Sequence, residues 1–386
     1  MELSNNQQAF FALLRAGLWA DTMVHDSWFL DEPSGKAERM DQGLEQVDWD
    51  EVYQLAEEQS VIGVVLAGLE HSVVKPSQEI LLQWIGEVQI IEQQNLAMNK
   101  FVAKLIDKLR KDDIYAILVK GQVIAQCYER PLWRSSGDVD LLLSDTNYNK
   151  AKFFLAPKST STINELKKEK HIAYTIDGWC VELHGNLPSR LFDSIDKVLA
   201  ELEKDIFFGG NVKSIMINNT AIFTPAPDLD VLFIFTHFLK HFFRGGVGLR
   251  QICDWCRLLW RYRSELDLRL LELRIRRMGL MSECRVFAAL AVNYLGMPVE
   301  AMPLYSPLSK WKRKASKVLP LILNSGNFGN KRDKSYYSKY PYLIWKAISL
   351  WHHTRDGFMF MRVFPVDAVK IWGIMFSDGF IELFQR

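Results

Sequence analysis

The feature that most constrains the fold is a pair of carboxylates at the head of an apolar run, residues 137–143, which reads GDVDLLL. In a β-strand, successive side chains point to opposite faces, so Asp138 and Asp140 share one face and the apolar residues share the other. Carboxylate oxygens held by a rigid strand suit a hard divalent cation such as Mg²⁺. The run therefore predicts a half-buried strand with a cation-binding face, and the same pattern also occurs at solvated strand ends.

The segments before the carboxylate run indicate a mixed α/β unit. Residues 114–121, IYAILVKG, form an apolar run of strand length that ends in Lys120-Gly121. A helix-compatible segment follows at 122–128, and then a basic loop at 129–137 leads into the aspartates. The order is strand, glycine turn, helix, basic loop and carboxylate strand.

A third carboxylate comes from residues 177–184, DGWCVELH. Three apolar residues alternate there with Cys180, Glu182 and His184, so Glu182 and His184 share one face of a predicted strand. Glu182 is expected to join the two aspartates across the sheet, and the alternative is a polar residue on a half-exposed strand. His184 either orients Glu182 and touches substrate, or is a hydrogen-bonded structural histidine.

This order of segments resembles the nucleotidyltransferase superfamily that includes DNA polymerase beta and the aminoglycoside nucleotidyltransferases. Lys120-Gly121 replaces the usual Gly-Ser pair of that superfamily. The sequence is more similar to a less characterised bacterial branch of this superfamily, which has the pattern Leu-x-Lys-Gly … Arg-x-x-Gly-Asp-x-Asp-Leu-Leu. The specific resemblance covers about residues 114–190. It implies that Asp138, Asp140 and Glu182 are the catalytic acids and metal ligands, with Glu182 as ligand or general base.

Positive charge for a nucleotide's phosphates is available around the same strand. Lysine acts as a point charge and arginine binds phosphate bidentately, and backbone N–H groups after a glycine turn face a phosphate at a helix N-terminus. Each basic residue has the alternative of a solvated or ion-paired surface charge, and serine before glycine is ordinary turn chemistry. The predicted nucleotide-binding residues are Lys120, Gly121, Arg134, Ser136 and Gly137.

Polar residues on two later helical segments form a second group of candidates. His237 and His241 are four residues apart on one predicted helix face, as are Arg250 and Asp254. The resembled family has a similar His…Arg…Asp run after its catalytic domain, which adds His241, Arg250 and Asp254, with His184, as second-tier site residues. The alternative is a helix pair joined by polar contacts. A metal hydrolase built on His237, His241 and Asp254 is the least favoured hypothesis.

The composition describes an ordinary globular protein. The 386 residues are 48% hydrophobic and 24% charged, and the net charge of +1 gives no argument for nucleic acid. Five cysteines in apolar segments predict buried thiols in a reducing cytoplasm. The first residues have no basic and apolar leader, and no apolar run reaches the ~18 residues of a transmembrane helix. These observations predict a cytoplasmic location.

The pattern along the chain predicts an α+β protein, in which a nucleotidyltransferase-type mixed-sheet domain at 112–225 is flanked by helical regions at 1–111 and 226–386. Helices are expected to begin at Asp48 and after Pro76-Ser77. Four local features are also predicted, and these are a helix at 145–155, a helix at 186–203, a hairpin turn within 206–212 and Asp228 as a helix N-cap.

The segment 310–355 is strongly basic, with eleven Lys or Arg residues and one acid, Asp333. Tyrosine and tryptophan are interleaved with these charges, and residues 325–330 have the composition of a mobile loop. A solvated basic face is the favoured interpretation. Contact with anionic lipid or nucleic acid is the alternative.

The leading hypothesis is a metal-dependent nucleotidyltransferase that uses Mg²⁺ or Mn²⁺ to move a nucleoside monophosphate from a nucleoside triphosphate to an acceptor hydroxyl. The acceptor is a small molecule, a saccharide or a protein. A non-catalytic relative that binds a nucleotide or partner is the alternative, favoured by the missing Gly-Ser pair. Because clustered carboxylates repel without a cation, replacing Asp140 with asparagine is expected to leave the metal-free stability equal or higher.

Overall fold

The computed structural model describes residues 3–20, 47–166, 170–189, 191–331 and 339–384. Within them, the N-terminal region is helical, as predicted, and residues 1–2 and 21–46 lie outside the described part. Asp48 caps its helix by accepting the N–H groups of Asp50 and Glu51, and Ser77 caps the long helix through Ile80. The helices are α1 Asn5–Leu18, α2 Trp49–Glu58, α3 Ile62–Glu70 and α4 Gln78–Lys111.

A five-stranded mixed sheet follows, in the order β1-β2-β5-β4-β3. The central pair β2–β5 is parallel, and the other three pairs are antiparallel. This confirms the predicted mixed sheet, although β1 is shorter than its apolar run. The strands are β1 Ile117–Val119, β2 Asp138–Leu142, β3 Ser161–Leu166, β4 His171–Ile176 and β5 Trp179–His184.

Two helices lie between successive strands of the sheet along the chain, and a third helix and a β-hairpin follow the last strand. The predicted helix at 145–155 is present with the same bounds. The interrupting helices are α5 Gly121–Ala125 and α6 Asp145–Leu155. The sheet is followed by α7 Asp193–Phe207 and the hairpin of β6 Val212–Ile217 and β7 Thr220–Pro225.

Two local predictions after the sheet are wrong. The helix expected at 186–203 is found at Asp193–Phe207. Pro188 disfavours a helical conformation at the residue before it and lacks an N–H donor, which keeps the first residues of the expected range out of the helix. The hairpin turn lies at Asn218 and Asn219, which both have positive φ as a tight hairpin turn requires. Residues 206–207 instead end α7, so the glycines that follow terminate a helix.

The rest of the described chain is helical, as predicted. The expected N-cap Asp228 is wrong by two residues, since Ala226 holds that position and Pro227, with its fixed φ, opens the helix. Asp228 lies in the first turn and accepts the N–H of Asp267 at 3.0 Å. The helices are α8 Pro227–Arg244, α9 Leu249–Arg261, α10 Leu268–Met278, α11 Met281–Leu295, α12 Ser309–Ser325, α13 Tyr342–Met361 and α14 Pro365–Phe384.

Two hydrophobic cores give the sheet two different faces. The smaller core joins the C-terminal half of α4, α6 and the β6–β7 hairpin to one face of the sheet, where Val139, Leu141, Val181 and Leu183 are almost completely buried. The larger core joins the N-terminal and C-terminal helices, and α7 packs into it. The opposite face of β2 and β5 therefore turns its polar side chains toward this helical body.

The basic segment lies mostly on the surface where it is described. On α12, Lys310, Lys312 and Arg313 are exposed while Trp311 and Ala315 are buried, which is the arrangement of a solvated basic face. Residues 332–338 of this segment lie outside the described residues. None of the helices in the described ranges combines the length and apolarity that crossing a bilayer requires.

The five cysteines carry free thiols. Cys127, Cys253, Cys256 and Cys284 are buried, as predicted, and Cys180 is half-buried. Burial raises the pKa of Cys127 to about 12, so its thiol stays protonated and unreactive near neutral pH.

Candidate active site

Three carboxylates converge on the sheet face that looks toward the helices. The parallel register pairs Asp140 with Glu182 and Asp138 with Cys180, so the strand period of two brings all three acids to the same face. One carboxylate oxygen from each lies within 4.8 Å of the others. The convergence expected from the sequence is therefore present.

Asp140 lies at the centre of the cluster and is 1% exposed. Its Oδ1 accepts hydrogen bonds from Lys120 Nζ at 2.7 Å and His184 Nε2 at 2.8 Å. Burial raises the pKa of Asp140, but the charge of Lys120 and the contact with His184 outweigh burial and hold the pKa below its ordinary value. Its Oδ2 is buried and has no hydrogen-bond partner.

The two outer carboxylates differ in their electrostatics. The charge of Asp140, with burial, raises the pKa of Asp138 above its ordinary value. Burial raises the pKa of Glu182, but hydrogen bonds from His171 and His184 together with the charge of Lys120 outweigh it, and the pKa lies well below its ordinary value. An added cation would relieve the repulsion between the two aspartates.

Lys120 reaches this cluster because the chain turns sharply after β1. Its φ of 57° is unusual for a residue with a side chain, and Gly121 follows with φ of 25°. A Cβ at Gly121 would lie 3.4 Å from the carbonyl oxygen of Asp138. Burial lowers the pKa of Lys120, but the charges of Asp140, Glu182 and Asp138 raise it by more, so the net pKa lies above its ordinary value and the ammonium keeps its charge.

Helices α8 and α9 form the opposite wall of a cavity of about 460 Å³ over the carboxylates. His237 and His241 lie on α8 with their Nε2 atoms 3.2 Å apart. Burial lowers the pKa of His241 to about 3, aided by the nearby Lys240 charge, so its imidazole is neutral at physiological pH. From α9, Arg250 donates to the carbonyl oxygen of Ser135 at 2.7 Å, and its Nε is buried without a partner.

Arg134 also lines the cavity, but its guanidinium is bound to protein groups. Its Nε and Nη2 contact the two carboxylate oxygens of Asp254 at 3.0 and 2.6 Å, and Tyr128 donates to Asp254 at 2.8 Å. Its Nη1 donates to Ser136 Oγ at 2.9 Å. The observed contacts therefore join the loop before β2 to α9. Ser136 and Gly137 do not belong to the cavity lining.

A family model described as "uncharacterised nucleotidyltransferase" matches residues 45–296, well over half of the chain. The chain belongs to this nucleotidyltransferase family. An antigenic nucleotidyltransferase-like protein from Paracoccidioides brasiliensis is a solved structure that is 15% identical, covers 48% of this chain and 90% of its own, and has a TM-score of 0.29. No curated protein matches the chain significantly.

The carboxylate cluster has the chemistry of a divalent-cation site. All three ligands are carboxylate oxygens, which Mg²⁺ and Mn²⁺ prefer. The unpartnered Asp140 Oδ2 is a buried acceptor of the kind that a cation satisfies. The described residues contain one other group of three that suits a metal, and it consists of His171, Glu182 and His184.

The structure does not bring His237, His241 and Asp254 together as the hydrolase hypothesis requires. The two metal-compatible groups found among the described residues contain none of these three. Asp254 is bound to Arg134 and Tyr128, and the two histidines contact each other. His241, Arg250 and Asp254 do line the cavity with His184, so the second-tier residues come together there.

Sequence analysis did not identify every residue that lines the cavity. Asn186 follows β5 and has a buried, unpartnered Oδ1, and Phe328 packs 4.8 Å from His241, centroid to centroid. The expected mobile loop around Phe328 is instead anchored, because Asn327 bonds to Gln251 at 2.8 Å and to Ser60 at 2.7 Å. No local sequence pattern predicts that these residues line the cavity, since their position depends on packing between segments that are distant in the chain.

Proposed function

We propose that this protein is a metal-dependent enzyme that transfers a nucleoside monophosphate from a nucleoside triphosphate to an acceptor hydroxyl. The observation that supports it is the convergence of Asp138, Asp140 and Glu182 within 4.8 Å, with a buried and unpartnered oxygen on Asp140. Mg²⁺ or Mn²⁺ held by these carboxylates would supply charge stabilisation at the reacting phosphate. In the reaction, the acceptor hydroxyl gives up its proton to solvent, its oxygen forms a bond to the α-phosphorus, and the bond to pyrophosphate breaks.

The basic groups of the cavity are suited to a triphosphate. Lys120 keeps its charge beside the carboxylates, and Arg250 has a buried Nε without a partner on the facing wall. We assign Lys120 and Arg250 as the phosphate contacts. All three guanidinium nitrogens of Arg134 already bond to protein groups, whereas the ammonium of Lys120 has three N–H donors and Asp140 accepts one of them. Arg134 acts as a positioning residue that holds the loop before β2.

Glu182 is better suited to be a ligand than a base. Its carboxylate accepts from His171 and His184, and its pKa lies well below the ordinary value. A carboxylate that holds its negative charge so firmly takes a proton poorly. We therefore assign Glu182 to the metal site rather than to proton removal from the acceptor.

The test is a transfer assay on the full chain. Each of the four common nucleoside triphosphates, labelled at the α-phosphate, is incubated with Mg²⁺ or Mn²⁺ and with fractions of small molecules, saccharides and proteins. We expect label on an acceptor and released pyrophosphate with the wild type and with the control Asp177→Asn, an exposed position on the β4–β5 turn. Asp138→Asn should transfer no label, and equal transfer by this variant would overturn the proposal.

A non-catalytic relative is the second candidate. Lys120-Gly121 stands where the resembled superfamily has a Gly-Ser pair, and the ammonium of Lys120 already neutralises Asp140. In that case the wild type binds nucleoside triphosphate with the cation, and no acceptor fraction receives label. Calorimetric binding of the nucleoside triphosphates with and without Mg²⁺ separates this case from a protein that binds no nucleotide.

A further inference from the structure

A second metal-compatible group lies beside the three acids, where β4 and β5 end at the cavity. His171 opens β4 and pairs directly with His184 at the end of β5, and their ring centroids are 4.8 Å apart. Glu182 precedes His184 by two residues and shares its face of the strand. All three side chains are partly accessible, with exposures of 26%, 13% and 25% for His171, His184 and Glu182.

The distances within this group match those between ligands of one ion. Glu182 Oε2 lies 3.1 Å from His171 Nε2 and 3.5 Å from His184 Nε2. Two donors bound about 2.1 Å from the same ion lie roughly 3.0 to 3.4 Å apart, depending on the coordination geometry. His171 Nε2 faces Glu182 Oε2, and His184 Nε2 lies between that oxygen and Asp140 Oδ1, so an ion bound here would take the place of these hydrogen bonds.

The donor set differs in kind from that of the three acids. Imidazole nitrogen with one carboxylate suits zinc, cobalt, manganese and iron, whereas an all-oxygen set suits Mg²⁺. We propose that His171, His184 and Glu182 bind a second divalent cation, of the transition-metal type, next to the three-acid site and with Glu182 shared between them. Three protein ligands leave coordination positions open, and His171 and His184 both line the cavity.

Asp140 adds negative charge beside this group. Its Oδ1 accepts from His184 Nε2 at 2.8 Å, and its Oδ2, which we assign to the three-acid site, is buried without a partner. A cavity lined by three carboxylates and two imidazoles, with one carboxylate oxygen unpaired, has more ligand atoms than one ion needs. This proposal does not rest on nucleotidyl transfer, because a protein that only binds a partner can hold the same ion.

The experiment titrates Zn²⁺ into the full chain, stripped with a chelator and kept in excess Mg²⁺, by isothermal calorimetry. We expect the wild type to bind Zn²⁺, and His171→Gln to weaken binding by about tenfold or more. Glutamine keeps a donor for Glu182, so the fold is expected to survive, and thermal unfolding of the metal-free variant checks this. His71→Gln, at an exposed histidine, is the matched control and should bind as the wild type does.

A measurement on the unaltered protein makes the result independent of any variant. The X-ray absorption spectrum of the Zn²⁺-loaded wild type should show the outer-shell scattering of two imidazoles. The proposal is overturned if the wild type does not bind Zn²⁺, if a folded His171→Gln binds it equally well, or if the spectrum lacks imidazole. Failure here leaves the Asp138→Asn transfer result unaffected, so the two proposals fail separately.

Discussion

At the scale of single residues, the carboxylates of the cluster have different structural roles. Asp140 is 1% exposed and bonds to Lys120 and His184, whereas Asp138 is raised in pKa chiefly by the charge of Asp140. Removing the charge of Asp140 therefore breaks its ion pair with Lys120, whereas removing the charge of Asp138 relieves its repulsion from Asp140. The two aspartates of the motif, equivalent in the sequence, should respond differently to the same substitution.

We expect Asp140→Asn to destabilise the metal-free protein by about 3 kcal/mol, because breaking this buried pair takes from Lys120 its nearest counter-charge. This reverses the expectation from sequence, which treated Asp140 only as one of several repelling acids. Chemical denaturation of the metal-free protein measures the effect. The double variant Asp140→Asn, Lys120→Met should regain much of the lost unfolding free energy, because it removes both charges of the pair. If Asp140→Asn alone is as stable as the wild type, the ion pair does not stabilise the fold.

For Asp138→Asn, we expect the metal-free melting temperature to be equal or slightly higher, since the substitution removes repulsion from Asp140 and keeps the side chain's shape. Differential scanning calorimetry in a chelating buffer measures this. The control is Asp177→Asn, which should not change the melting temperature. A fall of several degrees with Asp138→Asn alone would show that Asp138 holds the fold together.

At the scale of elements, one ion pair joins the loop before β2 to helix α9. Arg134 and Asp254 are 6% and 4% exposed and meet in a two-pronged contact, which Tyr128 extends. We expect Asp254→Asn to cost about 3 to 5 kcal/mol of unfolding free energy, because the buried guanidinium loses its counter-charge. Denaturant unfolding measures it, and Arg277→Gln, in an exposed pair with Glu201, should leave the unfolding free energy nearly unchanged.

A double-variant cycle gives the outcome that would contradict this role. If Asp254→Asn and Arg134→Gln are additive in unfolding free energy, the two side chains do not act as a pair. Strong coupling together with unchanged nucleotide affinity would fit a positioning role for Arg134. A loss of nucleotide affinity in a folded Arg134→Lys variant would instead restore the phosphate contact that the sequence predicted.

The elements show which parts of the fold are readable from sequence. The faces of β2 and β5 were predictable, because the period of two is local, and so were the starts of α2 and α4, because Asp48 and Ser77 cap their own helices. The start of α7 and the Asn218–Asn219 turn were not, since glycine and proline signals compete there. The contact of Arg134 with Asp254 joins residues 120 positions apart and has no local signature.

At the scale of the whole molecule, the cavity exists because two cores meet on opposite faces of one sheet. The smaller core holds β2 and β5 in register, and the larger core brings α8 and α9 over their polar face. Sequence patterns predicted the helical flanks and named His241, Arg250 and Asp254 in them as site candidates, but they did not predict that Phe328 from a flank and Asn186 from the end of β5 would line the same cavity. Proximity of this kind is decided by packing between distant segments.

The α8 wall makes stability depend on pH. His241 has a pKa of about 3 when folded, lowered by burial, Lys240, Lys120 and Arg250 and opposed by Glu182. An unfolded histidine titrates near 6.5, so the unfolded state binds this proton first and stability falls as the pH drops below 6.5. We expect His241 to account for about 1.5 kcal/mol of the stability lost between pH 6.5 and 5.

Denaturant unfolding of the wild type and of His241→Gln across this pH range measures the effect. Subtracting the two curves removes the contributions of His184 and the carboxylates, which both proteins share. The difference should grow as the pH falls, with the variant less sensitive to acid. Parallel curves would show that His241 titrates normally and that the cavity wall is open to water.

The most direct test of the central claim is calorimetric binding of the four common nucleoside triphosphates with and without Mg²⁺. We predict that at least one binds only with Mg²⁺, that Asp177→Asn binds it like the wild type, and that Asp138→Asn loses the Mg²⁺-dependent binding. A nucleotide that binds equally well without Mg²⁺, or to Asp138→Asn as to the wild type, would contradict a carboxylate-held cation as the anchor of the triphosphate. Absence of binding by all four would contradict the nucleotide site itself.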